Sequence, residues 1–505
     1  MNGGTATRSV EEKPRTPDSP EQRGSAPQRP VGGIAHDPVA EALEHWQRQG
    51  PYDFHSGLEP VELRRAAGKA LRKAVPRESH GEWSAPSGRP DPTAVLRGTN
   101  EGRVEGLVPL RMERMAASPF AFYRGAAAIM ALDLAGAPLT GLNAIIDGDA
   151  HLANFGMHGT PQREIVFDLN DFDETTLGPW EWDLKRLVAS VNLAAREIGL
   201  GRRERRAAVM ECVAAYRGGG SRLEGLGVLD VWYMHSYPDK KHSLRRHLDP
   251  KSHAVFLKAV EKARENTSAG LLPKVAERQS DGSWRFRDDP PTLTRVSDQT
   301  VAKIGAAVGE YVETLLPERR FMMKRYRLVD VAHRVVGVGS VGLRAYLALF
   351  IGNGARDPLF LQVKEARRSV LAGSLPALPP LLTHEGRRVV FGQRLLQAST
   401  DFLLGWTTVE GRPFYVRQMR NMKAAIPIES LARAPFRSYS RACGMVLARA
   451  HARTGDIAKI SGYCGNSAAL DSALADFAET YGDQTERDHA ALVNALKSGG
   501  ALQLK

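Results

Sequence analysis

The chain has 505 residues, 42% of them apolar, and a formal net charge of +12, which suits a folded protein of several domains with large cores. Its basic residues are scattered through stretches such as LGRRERRAAV and LPERRFMMKRYRL, where apolar residues recur at helical spacing, so solvated helix faces account for the charge and no nucleic-acid partner is expected. Three cysteines without a CxxC pair argue against a disulfide framework or zinc site; with no bilayer-length apolar run and no signal-peptide core, a cytoplasmic protein without membrane insertion is expected.

Residues 1–35 are rich in Pro, Gly, Ser, Arg and Glu and are expected to be a disordered tail, too poor in large apolar groups to offset the entropy of ordering. From Pro38 to about Val75 the apolar spacing is helical. SPFAFYRGAAAIMALDLAG (118–136) predicts one buried helix between a Ser-Pro cap and Gly136. NAIIDGD predicts a short buried strand, and REIVFDLNDF a second in which Ile165, Phe167 and Leu169 share a face. A helix is expected after Asp183, then a hairpin in RQSDGSWRF and a helix in TVAKIGAAVGEYVETLL. Residues 325–365 predict three strands separated by a glycine-rich turn and by GNGARD. A helix over Thr383–Gln397, a hairpin in DFLLGWTTVEGRPFYVRQM and closing helices complete the chain.

Chemistry concentrates in two acidic stretches, DGDAHLANFG (147–156) and LNDFDETTLGPWEWDLKRL, because packed carboxylates repel unless a cation or a reacting group lies among them. GVGSVG (Gly337, Gly339, Gly342) joins two predicted strands rather than a strand and a helix. That context fits a loop whose backbone N–H groups cover phosphates, not a dinucleotide-binding turn. The following strand carries Lys364, with Gln362 on its face and Leu361 and Val363 on the other. Such a lysine holds nucleotide phosphates when a carboxylate fixes it, and Glu385 is the expected partner. Phosphoryl transfer further needs an orienting carboxylate, for which Asp149 is the candidate, and oxygen ligands for Mg2+, for which Asn154 and Asp171 are candidates.

GDAHLANFG followed by DFDETTLGPWEWDL resembles the catalytic core of aminoglycoside phosphotransferases and related small-molecule kinases. The resemblance implies Asp149 as the catalytic Asp, Asn154 and Asp171 as metal ligands, His151 as a residue bracing its own loop, and Asp183 as an Asp bracing the catalytic loop. The chain more closely resembles a bacterial family known as domain of unknown function 2252, through RMERMAASPFAFYRGAA, GDAHLANFG, NDFDET, VVGVGSVGLRAY, AHARTGD and DQTERDHAAL. Two departures from the phosphotransferase pattern stand out: Asp147 occupies the place of a His, and the glycine loop and lysine follow the catalytic loop instead of preceding it.

The expectation is therefore an α+β, kinase-like two-lobed fold in permuted order. Residues 36–324 would form the helical large lobe with both acidic loops, 325–423 the small antiparallel β-rich lobe, and 424–505 helices returning to the large lobe, with RQMRNMK (417–423) as hinge. The expected activity is ATP- and Mg2+-dependent phosphorylation of a hydroxyl acceptor, probed against two rivals: a nucleotide-binding pseudokinase and a metal-dependent phosphoesterase. Asp168, Asp173 and Glu174 are open between metal ligation and solvation, and either helix 120–135 or the helix of MVLARAHA is available to pack beneath the catalytic loop. Arg111, Arg114 and Arg124 could touch phosphate or pair structurally with the acidic loops, and the structural role is the expected one.

Overall fold

The computed structural model describes Met1 and residues 59–498 except His242, Val336, Ala355 and 376–382. The expected tail and the start of the Pro38–Val75 segment lie outside these residues. The described chain is a mixed α+β structure, mostly helical, with small antiparallel sheets.

The strands in chain order are β1 (Asn143–Ile146), β2 (Phe155–Gly159), β3 (Ile165–Leu169), β4 (Thr176–Pro179), β5 (Ala276–Arg278), β6 (Trp284–Phe286), β7 (Leu293–Arg295), β8 (Arg327–Arg334), β9 (Ala345–Ile351), β10 (Pro358–Glu365), β11 (Gly405–Val409) and β12 (Arg412–Gln418). The main sheet runs β11-β12-β10-β9-β8-β7, antiparallel throughout. Three two-stranded ribbons accompany it: β1 with β4, β2 with β3, and β5 with β6.

Eight helices matter for the site: α1 (Val108–Ala116), α2 (Pro119–Gly125), α3 (Trp180–Glu197), α4 (Arg202–Leu223), α5 (Asp298–Glu313), α6 (Glu385–Leu396), α7 (Arg433–Thr454) and α8 (Ala469–Lys497). Strand β10 is buried on both faces, which is why PLFLQVKE is so apolar. Leu359, Leu361 and Val363 pack with Ile304, Val308 and Tyr311 of α5, while Phe360 packs on the other side with Leu271, Leu347 and Leu349. The pleat that sends Leu361 and Val363 into one core turns Lys364 to the other face.

The second core is helical. α3 is buried along nearly its whole length, and it packs with α4, α7 and α8 in the largest apolar cluster. Trp180 of α3 stacks on Tyr216 of α4 with ring centroids 5.7 Å apart. The ribbon β2–β3 is tied to this body, since Phe167 packs edge-on against Tyr439 of α7.

Two local expectations are corrected. Residues 118–136 form two helices, α2 and a second over Ala127–Leu134, because the backbone leaves the helical region at Ala126 (φ −111°, ψ 28°); Ser118 does cap the first, accepting from Ala121 N at 3.1 Å. Strand β2 was not foreseen: FGMHG contains two glycines and shows no apolar alternation, and its pairing with β3 and with Ala424 decides its shape. The main sheet also recruits β7 from before residue 325, paired to β8.

Candidate active site

The first acidic loop joins β1 to β2 above the start of α3. Asp183, in the first turns of α3, accepts from Asp147 N and Gly148 N, both at 2.8 Å, and its Oδ2 lies 3.2 Å from His451 Nε2 of α7. Three residues on and so on the same helix face, Arg186 donates through Nε to Asp149 Oδ1 at 2.8 Å. Beneath the loop, Tyr439 of α7 donates to Leu152 O at 2.7 Å, while α2 contributes Tyr123 O to Arg186 Nη2 at 2.7 Å. Both helices weighed for the floor of this loop therefore share it. Gly148 is in the left-handed region (φ 78°), and a Cβ there would sit 2.4 Å from Glu174 O; glycine is what lets the two acidic loops meet.

Electrostatics separates two aspartates only two residues apart. Asp147 is wholly buried, and neither carboxyl oxygen has a hydrogen-bond partner among the described residues. Burial first, then Asp183, Asp149 and Asp171, push its pKa far up, so it is a neutral acid. Asp149 opens toward the cavity, with 21% of its side chain exposed. Burial raises it, Arg186 opposes, and Glu174 and Asp171 add repulsion, leaving it pushed up to about 7.

His151 and Asn154 follow on the same loop. Burial, then Arg124 and Arg186, hold His151 far below its ordinary value, so the ring is neutral. Its Nε2 lies 3.8 Å from Asp149 Oδ2, and its Nδ1 has no partner among the described residues. Asn154 Nδ2 donates to Asp149 O at 2.7 Å, and Oδ1 has no donor among the described residues.

The second acidic loop leaves β3. Asp168 is fully buried, forms an ion pair with Arg449 of α7 and accepts from Ala398 N at 3.0 Å; it is structural. Asp171 has 36% of its side chain exposed and lies 3.9 Å from Lys364 Nζ. Burial raises Asp171, but Lys364, Arg417 and Lys423 outweigh it and hold the carboxyl below its usual range. Lys364 is buried and bonded to Asp173. Burial opposes its charge, and Asp171, Asp173 and Tyr415 more than compensate, raising it. The expected Lys364–Glu385 pair is thus corrected: Glu385 opens α6 and pairs with Arg388 three residues on. The same Arg388 donates to Asp173 O and Arg367 O at 2.7 and 2.8 Å, so α6 braces the acidic loop through a cation instead of an anion.

The glycine loop closes over these groups. A cavity of about 390 Å³ is lined by Asp149, His151, Asn154, Asp171, Asp173 and Glu174 from the acidic loops and by Gly337 and Gly339 from the glycine loop. Arg114 Nη1 donates to Gly337 O at 2.7 Å and Arg103 Nη1 to Val341 O at 2.6 Å, anchoring the loop to the segment before α1 and to α1. Gly342 lies off the cavity wall, in the left-handed region (φ 86°) with its Cβ position 3.1 Å from Arg103 Cβ. Lys364 is also behind the wall, acting through Asp171 and Asp173.

The arginine expectation is corrected. Arg111 is buried, but it donates to Asn100 Oδ1 at 2.5 Å and Gly125 O at 3.3 Å and has no carboxylate partner among the described residues; Arg114 holds the glycine loop and Arg124 makes no ion pair there either. Sequence reasoning also missed Arg186, whose i,i+3 spacing from Asp183 was a usable signal, and Arg103 and Arg367, for which no signal existed.

Fold and site together define a mixed α+β protein in which a glycine loop between two strands of an antiparallel sheet closes over two acidic loops carried by a helical body. The chain belongs to the family described as an uncharacterized protein conserved in bacteria, DUF2252, whose profile matches residues 103–495 and so includes every group named at the cavity. No curated protein and no solved structure matches it. Among the described residues no helix is long and apolar enough to cross a membrane.

Proposed function

We propose that the protein is an ATP- and Mg2+-dependent phosphotransferase of permuted kinase-like architecture, acting on a hydroxyl group of a small molecule in the cytoplasm. One observation carries the reading: Gly337 and Gly339 share a cavity with Asp149, Asn154 and Asp171, although they are far apart in the chain. The order β8, glycine loop, β9, β10 with its lysine, α6, β11, β12 supports it, being the order of a kinase small lobe. In the permuted arrangement the chain passes from β12 through 419–424, bonded to β2 by Met157 N to Ala424 O at 2.8 Å, back to the helical body.

Asp149, titrating near neutrality, is the base that takes the acceptor's proton, and Arg186 fixes its orientation. Asp171 and the free Oδ1 of Asn154 suit Mg2+, which needs few protein oxygens alongside water and phosphate; when bound, the ion stabilises charge on the transferred phosphoryl group. Lys364 keeps Asp171 ionised for that task. The phosphoesterase alternative has less support, because among the described residues no three His, Cys, Asp or Glu side chains are grouped to hold a metal.

Calorimetry with Mg-ATP tests the reading on the wild type and on Asp171→Ala and Lys364→Ala, each checked for folding by circular dichroism. Both variants should lose Mg2+-dependent affinity; equal binding by folded variants, or none by the wild type, would sink it. Slow ATP turnover lost in Asp149→Asn separates the enzyme from a pseudokinase that binds without transfer.

A further inference from the structure

The cavity that holds the four carboxylates Asp149, Asp171, Asp173 and Glu174 is also lined by five arginines, Arg103, Arg111, Arg124, Arg367 and Arg368. The carboxylates act on the arginines across the cavity, Glu174 and Asp173 on Arg103 and Asp149 on Arg124, but do not join them in ion pairs among the described residues. Asp149 is paired by Arg186 and Asp173 by Lys364, cations from outside the wall, while Glu174 accepts from Val370 N at 2.7 Å. Among the described residues none of the five arginines forms an ion pair, and Arg124 has no hydrogen-bond partner for its buried Nε.

Arg111 is the sharpest case. Only 1% of it is exposed, it lies in a helix otherwise buried through Val108, Met112 and Met115, and its Nε has no partner among the described residues. A buried guanidinium without an anion is destabilising, and an arginine cluster with free N–H groups matches phosphate oxygens in pairs. The local field is mixed: burial, then Arg103 and Arg367, drive Arg111 down, while burial and Arg367 push Arg103 down to about 10 against the opposing pull of Glu174, Asp173 and Glu365.

We propose that this basic side of the cavity binds a phosphate group carried by the acceptor, so that the substrate is a phosphate-bearing hydroxyl compound and not a polycation such as an aminoglycoside. The assignment rests on the phosphotransferase reading. In the transfer, the acceptor oxygen forms a bond to the γ-phosphorus of ATP, the bond from that phosphorus to the β,γ-bridging oxygen breaks, the hydroxyl proton passes to Asp149, and ADP leaves. The acceptor's own phosphate stays on Arg111, Arg124 and Arg367, aligning its hydroxyl with Asp149.

The test titrates inorganic phosphate into the full chain by calorimetry, with and without saturating Mg2+ and a non-hydrolysable ATP analogue. Arg124→Gln and Arg367→Gln are compared with wild type and with Lys364→Ala, all checked by circular dichroism. Arg111 is left intact because its replacement endangers the fold. Phosphate is expected to bind alongside the analogue, each arginine variant to weaken phosphate about tenfold with analogue affinity kept, and Lys364→Ala to do the reverse. Phosphate binding that is absent, or equal in the arginine variants, overturns the proposal. Phosphate displaced by the analogue, with arginine variants weakening the analogue, would assign the arginines to the nucleotide and overturn the acceptor role while sparing the phosphotransferase reading. Arginine-dependent phosphate binding without any analogue binding would instead remove the phosphotransferase reading, and the acceptor role with it, leaving only an anion site.

Discussion

The two acidic loops solve the same problem in different ways. In residues 147–154 the carboxylates are managed from directly below, by α3: Asp183 holds the backbone and Arg186 holds Asp149. In residues 168–174 the aspartates are met by cations from far along the chain, Arg449 for Asp168 and Lys364 for Asp173, with Lys364 near Asp171, while Glu174 accepts from Val370 N. The difference teaches that burial, not residue type, assigns the role. Asp168 at 0% exposure is a structural ion and Asp171 at 36% is available for ligation, three residues further along.

That contrast is open to direct attack, beginning where the effect should be largest. Arg449→Ala strands the buried Asp168 charge and should cost about 3–5 kcal/mol in urea unfolding; a loss below 1 kcal/mol would mean Asp168 is not the structural member of its loop. Asp183→Ala removes the acceptor of two backbone N–H groups and should cost about 3 kcal/mol by the same measurement, with the first loop loosened and the second intact.

Chemistry comes next. Asp149→Asn should lower transfer at least ~100-fold while Mg-ATP affinity holds, measured by a coupled ADP assay; unchanged turnover would remove Asp149 as base. The pH dependence sharpens this point. Asp149 must be ionised to accept a proton and is pushed up to about 7 by burial, so log(kcat/KM) should rise with pH and level off above about 7. An activity already flat at pH 5 would place the base elsewhere. Glu385→Ala should be the mildest change: its partner Arg388 keeps bonds to Thr175 O, Asp173 O and Arg367 O, so below ~1 kcal/mol of stability is at stake and nucleotide affinity should not move. A large loss of affinity would restore Glu385 as a nucleotide-site residue.

Legibility followed the range of the interactions. The strands Arg327–Arg334, Ala345–Ile351 and Pro358–Glu365, the helix Glu385–Leu396 and the β11–β12 hairpin were all readable, because pleat period, turn glycines and helical spacing are written within a few residues. The break at Ala126 and strand β2 were not, since each is set by packing partners instead of by local pattern. At the site, Asp149, Asn154 and Asp171 were legible as a dense local cluster, and Asp183 through the resemblance.

By itself, then, the chain's sequence determined the strands around Lys364, the helix after them and the two acidic loops, because those depend on neighbours in sequence. Only the tertiary structure decided that Lys364 meets Asp173 and not Glu385, that the Asp147 carboxyl is buried without a hydrogen-bond partner among the described residues, and that Arg103, Arg111, Arg124 and Arg367 share a cavity with the acidic loops. Charge pairing is chosen by distance and desolvation between groups brought together from remote segments, and neither quantity exists until the chain has packed.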